Sequence, residues 1–147
     1  MTPNEPLPLH HSWPLTDIAT QLDLGRVHDD AALPVPGGPG YWTCNLADDA
    51  LHWSPVVYGL FGLPAGQAAT RSASLALYDE GSRAAMERLR AHAIRHRRGF
   101  TVDIRVHPMG VRTARWVRLT AAAVCEDQRV IGLRGCKTDV TGLYARG

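Results

Sequence analysis

Alternation of apolar and polar positions is clearest between Phe100 and Thr141. Phe100, Val102, Ile104 and Val106 alternate with Thr101, Asp103, Arg105 and His107, a period of two that predicts a strand over Phe100–His107 with one face on a core. A second strand is expected over Thr113–Val124, with Val117, Leu119, Ala121 and Ala123 in an apolar row and Trp116, Arg118, Thr120 and Ala122 in a mixed one. A third is expected over Val130–Val140, where Ile131, Leu133 and Gly135 continue the apolar row. The linkers 107–112 and 126–129 are short and either polar or marked by Pro and Gly, so antiparallel hairpins are the simplest connections.

Upstream the pattern changes period. Two short strands, Tyr41–Leu46 and Ala50–Trp53, flank the turn signal Ala47-Asp48-Asp49. Ser54-Pro55 opens a helix, with Ser to cap free N–H groups and Pro at a position where its missing N–H costs nothing. Val57, Leu60 and Phe61 form its apolar stripe, and Gly62 with Pro64 ends it. Further helical turns are expected within Ser72–Leu77. A longer helix is expected from Ser82, as N-cap, to Arg97, with Met86, Leu89 and Ala93 on one face and Gly99 as its stop. Near the start, Thr16 is the expected cap of a short helix that carries Ile18 and Leu22 on one face and ends at Gly25.

Met1–His11 is Pro-rich without hydrophobic period, and Arg26–Gly40 has linker composition. The expected organisation is an N-terminal extension over 1–39, a compact domain over 40–141 and a tail over 142–147. Two strands, several helices and three strands in that order predict an α+β fold: a five-stranded antiparallel sheet with helices over one face, plus the N-terminal helix.

Charge and cysteine usage narrow the function classes. In 147 residues, 16 basic and 14 acidic side chains leave a net charge of +2, too balanced for a nucleic-acid footprint. The basic run Arg95-His96-Arg97-Arg98 falls at a helix end, where cations complement the dipole. Cys44, Cys125 and Cys136 are odd in number and lack CxxC spacing, which fits reduced thiols. The absence of a leader-like or membrane-spanning apolar run leads to the expectation of a cytoplasmic chain with neither nucleic acid nor membrane as partner.

Taken in order, several short motifs resemble the PAS domain, in particular its third sequence subfamily of bacterial sensors. They are Gly40-Tyr41-Trp42; Leu51-His52-Trp53-Ser54-Pro55 with Tyr58 and Leu60-Phe61-Gly62; Asp103-Ile104-Arg105-Val106; Arg115-Trp116-Val117; and Gly135 followed by Asp139-Val140-Thr141. The family often has His-Pro-x-Asp-Arg before the long helix, where this chain has Asp79-Glu80-Gly81-Ser82-Arg83, and Met109-Gly110 replaces a more usual Asp-Gly. The resemblance implies a strand order of 2-1-5-4-3, counting the five strands along the chain, and a small cavity between helices and sheet. It also implies a sensory module that binds a small ligand or dimerises and relays a change to an effector, such as a histidine kinase or other output domain, in cis or in trans.

Within that frame, the apolar rows that face one another nominate Phe61, Met86, Leu89, Ile104, Leu119 and Leu133 as the cavity lining. Leu119 is the position where a carboxylate is expected to be buried without a partner. No catalytic residue, nucleophile motif or metal cluster stands out, and the default is no cofactor, with haem or non-covalent flavin as the possible ones. His92 and His96, four apart on the long helix, are the candidate ligands of a haem-binding gas or redox sensor, and read as solvated surface histidines. No Cys lies between Cys44 and Cys125, which speaks against a flavin–cysteine photoadduct. A small α+β cone enzyme of the ketosteroid-isomerase type is the enzymatic alternative, although it normally places helices before strands. A homodimer is expected through the outer sheet face around Trp116 and Arg118, together with the helix carrying Ile18 and Leu22.

Overall fold

The computed structural model describes residues 11–22 and 39–144. The readings for Met1–His10, for the helix stop at Gly25, for the linker before Pro39 and for the last three residues lie outside the described residues. One antiparallel sheet is built from β1 (Ser12–Pro14), β2 (Gly40–Asn45), β3 (Leu51–Trp53), β4 (Arg98–Val106), β5 (Arg115–Glu126) and β6 (Arg129–Asp139), in the order β1-β4-β5-β6-β2-β3. Omitting β1, this is the expected 2-1-5-4-3 order read from its other edge.

The expected count of five strands is corrected to six. Ser12, Trp13 and Pro14 pair with Phe100, Gly99 and Arg98. Three residues with a proline give no alternation to read, so only their partner strand makes them a strand. The N-terminal helix is present as α1 (Ile18–Gln21) after a 3-10 turn over Leu15–Asp17. Thr16 does not cap it: the residue before α1 is Asp17, and no side chain bonds to the helix start.

Between β3 and β4 run α2 (Pro55–Phe61), α3 (Arg71–Leu75) and α4 (Glu80–His96). Pro55 opens α2 and Gly62, at φ 68, closes it. A Cβ at Gly62 would also lie 2.3 Å from the Met109 carbonyl oxygen, so glycine is required there twice over. The Ser54 hydroxyl leaves the helix start uncapped and instead accepts the Tyr41 N–H at 2.8 Å, tying α2 to β2. In α4 the cap is Asp79 and not Ser82, whose hydroxyl accepts the Arg105 N–H at 2.9 Å. The helix is stopped by Arg97, at φ 56, and not by Gly99. Gly99 lies inside β4 because the Trp13 ring rests on it; a Cβ there would stand 2.3 Å from the ring.

β5 and β6 meet in a tight turn at Asp127 and Gln128, both at positive φ. The pairing slips by one residue between Val124 and Cys125. That bulge turns Ile131 outward, to 41% exposure, and brings Val130 against the core, which corrects the expected inward row. Beyond it the row resumes as Leu133, Gly135 and Lys137, all buried. The main core joins this face to Val57, Phe61, Met86 and Leu89, while Trp13, Leu22 and Ala122 form a small second core on the other face. No helix among the described residues is long and apolar enough to cross a membrane.

Candidate functional site

A cavity of about 50 Å³ lies where α3 and α4 cross the sheet. Trp42 and Cys44 of β2 and Trp53 of β3 form one side, Leu75, Met86 and Arg90 the helical side, and Leu119, Leu133 and Lys137 the floor. Of the six residues nominated from sequence, Met86, Leu119 and Leu133 line this space. Phe61, Leu89 and Ile104 are buried in the same core but do not border it.

Lys137 is the residue that sequence reading missed. Period two along β6 carries the row Leu133, Gly135 one step further onto it, and its neighbours are Gly40 on β2 and Leu119 on β5, at the centre of the sheet. It is only 6% exposed. Its Nζ sits 4.8 Å from the ring centre of Phe61, 5.3 Å from that of Trp53 and 5.6 Å from that of Trp42. None of the ion pairs among the described residues involves it.

Two effects compete at this amine. Removal from water disfavours the ammonium, whereas the aromatic faces around it favour it by about 0.5–2 kcal/mol. Desolvation of a buried charge costs several kcal/mol, so it prevails. Burial lowers the Lys137 pKa to about 7, with only partial opposition from the nearby Cys44.

The other charges at the cavity are already matched. Arg71 pairs with Glu87, and Arg90 reaches Asp49 at 3.5 Å. Burial pushes the Cys44 thiol up, against the influence of Arg90, and burial also raises the Tyr78 phenol. The indole N–H groups of Trp42 and Trp53 are buried without a hydrogen-bond partner. Among the described residues, Lys137 is therefore the cationic side chain at the cavity without an ion-pair partner, within largely apolar walls.

His92 and His96 stand apart from it. Their rings are 4.5 Å from one another on α4, at a shallow surface depression shared with Ser12 and Arg98. Desolvation and the neighbouring His96 hold the His92 pKa below its usual value. No group of three His, Cys, Asp or Glu among the described residues is placed to hold a metal ion. Neither histidine borders the cavity, and its volume falls far below the several hundred Å³ typical of larger ligands, so its residues do not fit haem or flavin.

On the opposite face, the Trp13 indole N–H donates to the Thr101 hydroxyl at 3.0 Å, and Trp13 with Leu22 buries Ala122 completely. The apolar patch that led to the expectation of a homodimer is thus covered there by the chain itself. Further along, Arg118 donates twice to the Asp103 carboxylate, at 2.8 and 3.1 Å, and the Tyr144 hydroxyl donates to the same carboxylate. Tyr144 stacks on Trp116 with ring centres 4.4 Å apart. The Thr141 hydroxyl accepts the Trp116 N–H at 2.9 Å, and the Thr141 N–H donates to Asp139 at 2.8 Å. These bonds fix the start of α5 (Thr141–Tyr144) against β5.

No family model and no curated protein sequence matches the chain. Solved structures do. An RNA-binding light-oxygen-voltage receptor is 18% identical with a TM-score of 0.65, over 74% of this chain and 31% of the receptor, so the chain spans about a third of that protein. The N-terminal domain of a diguanylate cyclase with PAS/PAC sensor from Marinobacter aquaeolei is 16% identical with a TM-score of 0.66, over 73% of this chain and 99% of that domain. A sensory box histidine kinase/response regulator from Burkholderia thailandensis is 20% identical with a TM-score of 0.63, over 76% and 83% of the two chains. Identities this low speak to architecture alone, and with this strand order, these helices and this terminal Asp-x-Thr anchor the architecture of the chain is that of a PAS domain.

Proposed function

We propose that the chain is a sensory, signal-transducing module which takes a small ligand into the cavity beneath α3 and α4 and relays its presence through the sheet to an effector in cis or in trans. The observation that carries this reading is Lys137. A buried ammonium with no carboxylate partner among the described residues costs stability, and such perturbed groups in cavities concentrate at functional sites. The sensor domains to which the chain is similar support the same reading. The effector contact belongs on the outer face beside Trp116 and α5, where Leu143 is 66% exposed, in a cytoplasmic setting. The reading includes no catalysis by this domain itself.

The test is native mass spectrometry and an absorption spectrum of the purified protein, followed by thermal shifts with a panel of small molecules. A colourless protein whose melting temperature rises with some member of the panel is expected. A bound haem or flavin, or no response to any small molecule, would overturn the reading.

A further inference from the structure

We infer that the cavity is a receptor site for a small monoanion, a carboxylate of about three to five non-hydrogen atoms, whose charge is met by the ammonium of Lys137. This rests on the ligand-binding reading above and names the ligand's chemistry.

The sign of the charge follows from the pairing around the cavity. Three cationic side chains border it: Arg71, Arg90 and Lys137. Glu87 answers the first and Asp49 the second, which leaves a single positive charge, on Lys137. The aromatic faces around Nζ offset part of that charge but supply no oxygen acceptor for its three N–H groups. At the wall, the Ser74 hydroxyl donates to the Arg71 carbonyl and the Cys44 thiol to that of Asn45. A cavity bordered by one ammonium without an ion-pair partner is completed by an acceptor carrying one negative charge.

Size and wall chemistry narrow the class. A water needs roughly 10–15 Å³ on this measure, so a cavity of about 50 Å³ holds about three or four non-hydrogen atoms, and slightly more with side-chain movement. Leu75, Met86 and Leu119 make part of the wall apolar, which favours a short alkyl carboxylate over an inorganic ion. Acetate and propionate have the required charge, size and apolar end. With four or five such atoms, affinity is bounded at roughly tens of micromolar for acetate and a few micromolar for propionate, so binding at concentrations from there up to millimolar is the expected range.

The experiment titrates the intact chain with acetate, propionate, acetamide and chloride, read by calorimetry and by tryptophan fluorescence. Acetate or propionate is expected to bind at least tenfold more tightly than acetamide, with no effect of chloride. Lys137→Met and Lys137→Gln, the second keeping a donor without charge, are both expected to weaken carboxylate binding at least tenfold. The charged and titratable groups about the cavity are Cys44, Tyr78, Arg71 paired with Glu87, Arg90 paired with Asp49, and Lys137, whose protonated form is the one the anion requires. Affinity is therefore expected to fall towards tenfold per pH unit once the amine deprotonates above about pH 7. If acetamide binds as well as acetate, or either variant keeps full carboxylate affinity, the anion inference fails while the ligand-binding reading stands. If none of the probes binds and no other small molecule shifts the melt, both fail together.

Discussion

Replacing Lys137 by Met should stabilise the protein, and the gain should vanish at alkaline pH. A fall in the lysine pKa from 10.5 to about 7, at ~1.4 kcal/mol per tenfold change, means that burial of this amine costs the fold about 4 kcal/mol at neutral pH. Methionine fills a similar volume and makes its own contacts with aromatic rings, but gives up the cation–π attraction, worth about 0.5–2 kcal/mol. The net expectation is a gain of about 2 kcal/mol at pH 7. The sign with pH is fixed: between the folded pKa near 7 and the unfolded value above 10, the unfolded chain binds more protons, so wild-type stability rises with pH. The destabilising contribution is full below pH 7 and lost as pH approaches 10.5. Urea unfolding of both proteins at several pH values between 6 and 10 measures the gap, in which shared titrations cancel. A variant less stable than wild type at pH 7, or a gap that does not change with pH, refutes the argument that desolvation governs Lys137.

Leu119→Asp should be less damaging than a buried lone carboxylate, because Leu119 and Lys137 are directly opposed across β5 and β6 and both border the cavity; in a double-mutant cycle with Lys137→Met, melts should show a coupling of about 2 kcal/mol or more, and additivity would contradict that placement. Gly99→Ala should expel Trp13, whose ring leaves 2.3 Å for a Cβ, at a cost of about 1–3 kcal/mol with a red-shifted tryptophan emission, whereas Gly59→Ala in α2, with nothing within 4 Å, should be neutral or stabilising by up to ~1 kcal/mol. A chain that starts at Gly40 lacks Trp13 and Leu22 and uncovers Ala122, so sedimentation should find it more self-associated than the intact chain; equal behaviour would remove the covering role assigned to β1 and α1.

The parts of this fold that could be read from sequence are those whose signal is local. Period two from Phe100 to Val106 gave β4, and the Ser54-Pro55 start with the Gly62 stop bounded α2, because dihedral preference and hydrogen-bond satisfaction there depend on adjacent residues. What escaped depends on distant partners. Nothing near Ser12 says that β4 will accept it as a strand, and Gly99 reads as a helix stop until Trp13 is seen resting on it. The bulge that turns Ile131 outward is set by the length of the Asp127-Gln128 turn against the pairing further along. The site suffered most. Apolar residues alone mark an inward row, and Lys137 falls outside that signal although the same period of two reaches it from Leu133. A lysine at such a position runs against burial preference, and departures of that kind mark functional sites more often than errors of pattern.

The position of Lys137 within β6 also bears on how a ligand could be felt outside the cavity. Its strand is paired on both sides, with β2 where Lys137 stands opposite Gly40 and with β5 where it stands opposite Leu119, so a shift of the strand at this point moves its neighbours with it. Two residues on, Asp139 accepts the Thr141 N–H; the Thr141 hydroxyl in turn holds Trp116 of β5, and Tyr144 stacks on that ring. From Lys137 to Thr141 is about 13 Å of extended chain, at roughly 3.3 Å per residue, with no flexible loop between. Tight binding alone would not transmit anything along it. Only the part of the binding energy that differs between two arrangements of β6 and α5 can shift their populations. The uncompensated amine supplies a source of such a difference: without an anion, any arrangement that lets water or a carboxylate reach Nζ is favoured by relief of up to about 4 kcal/mol, and with the anion bound that advantage disappears. A cavity lined only by leucines would bind a small apolar molecule equally well in either arrangement and would have no comparable lever on the exit of the chain.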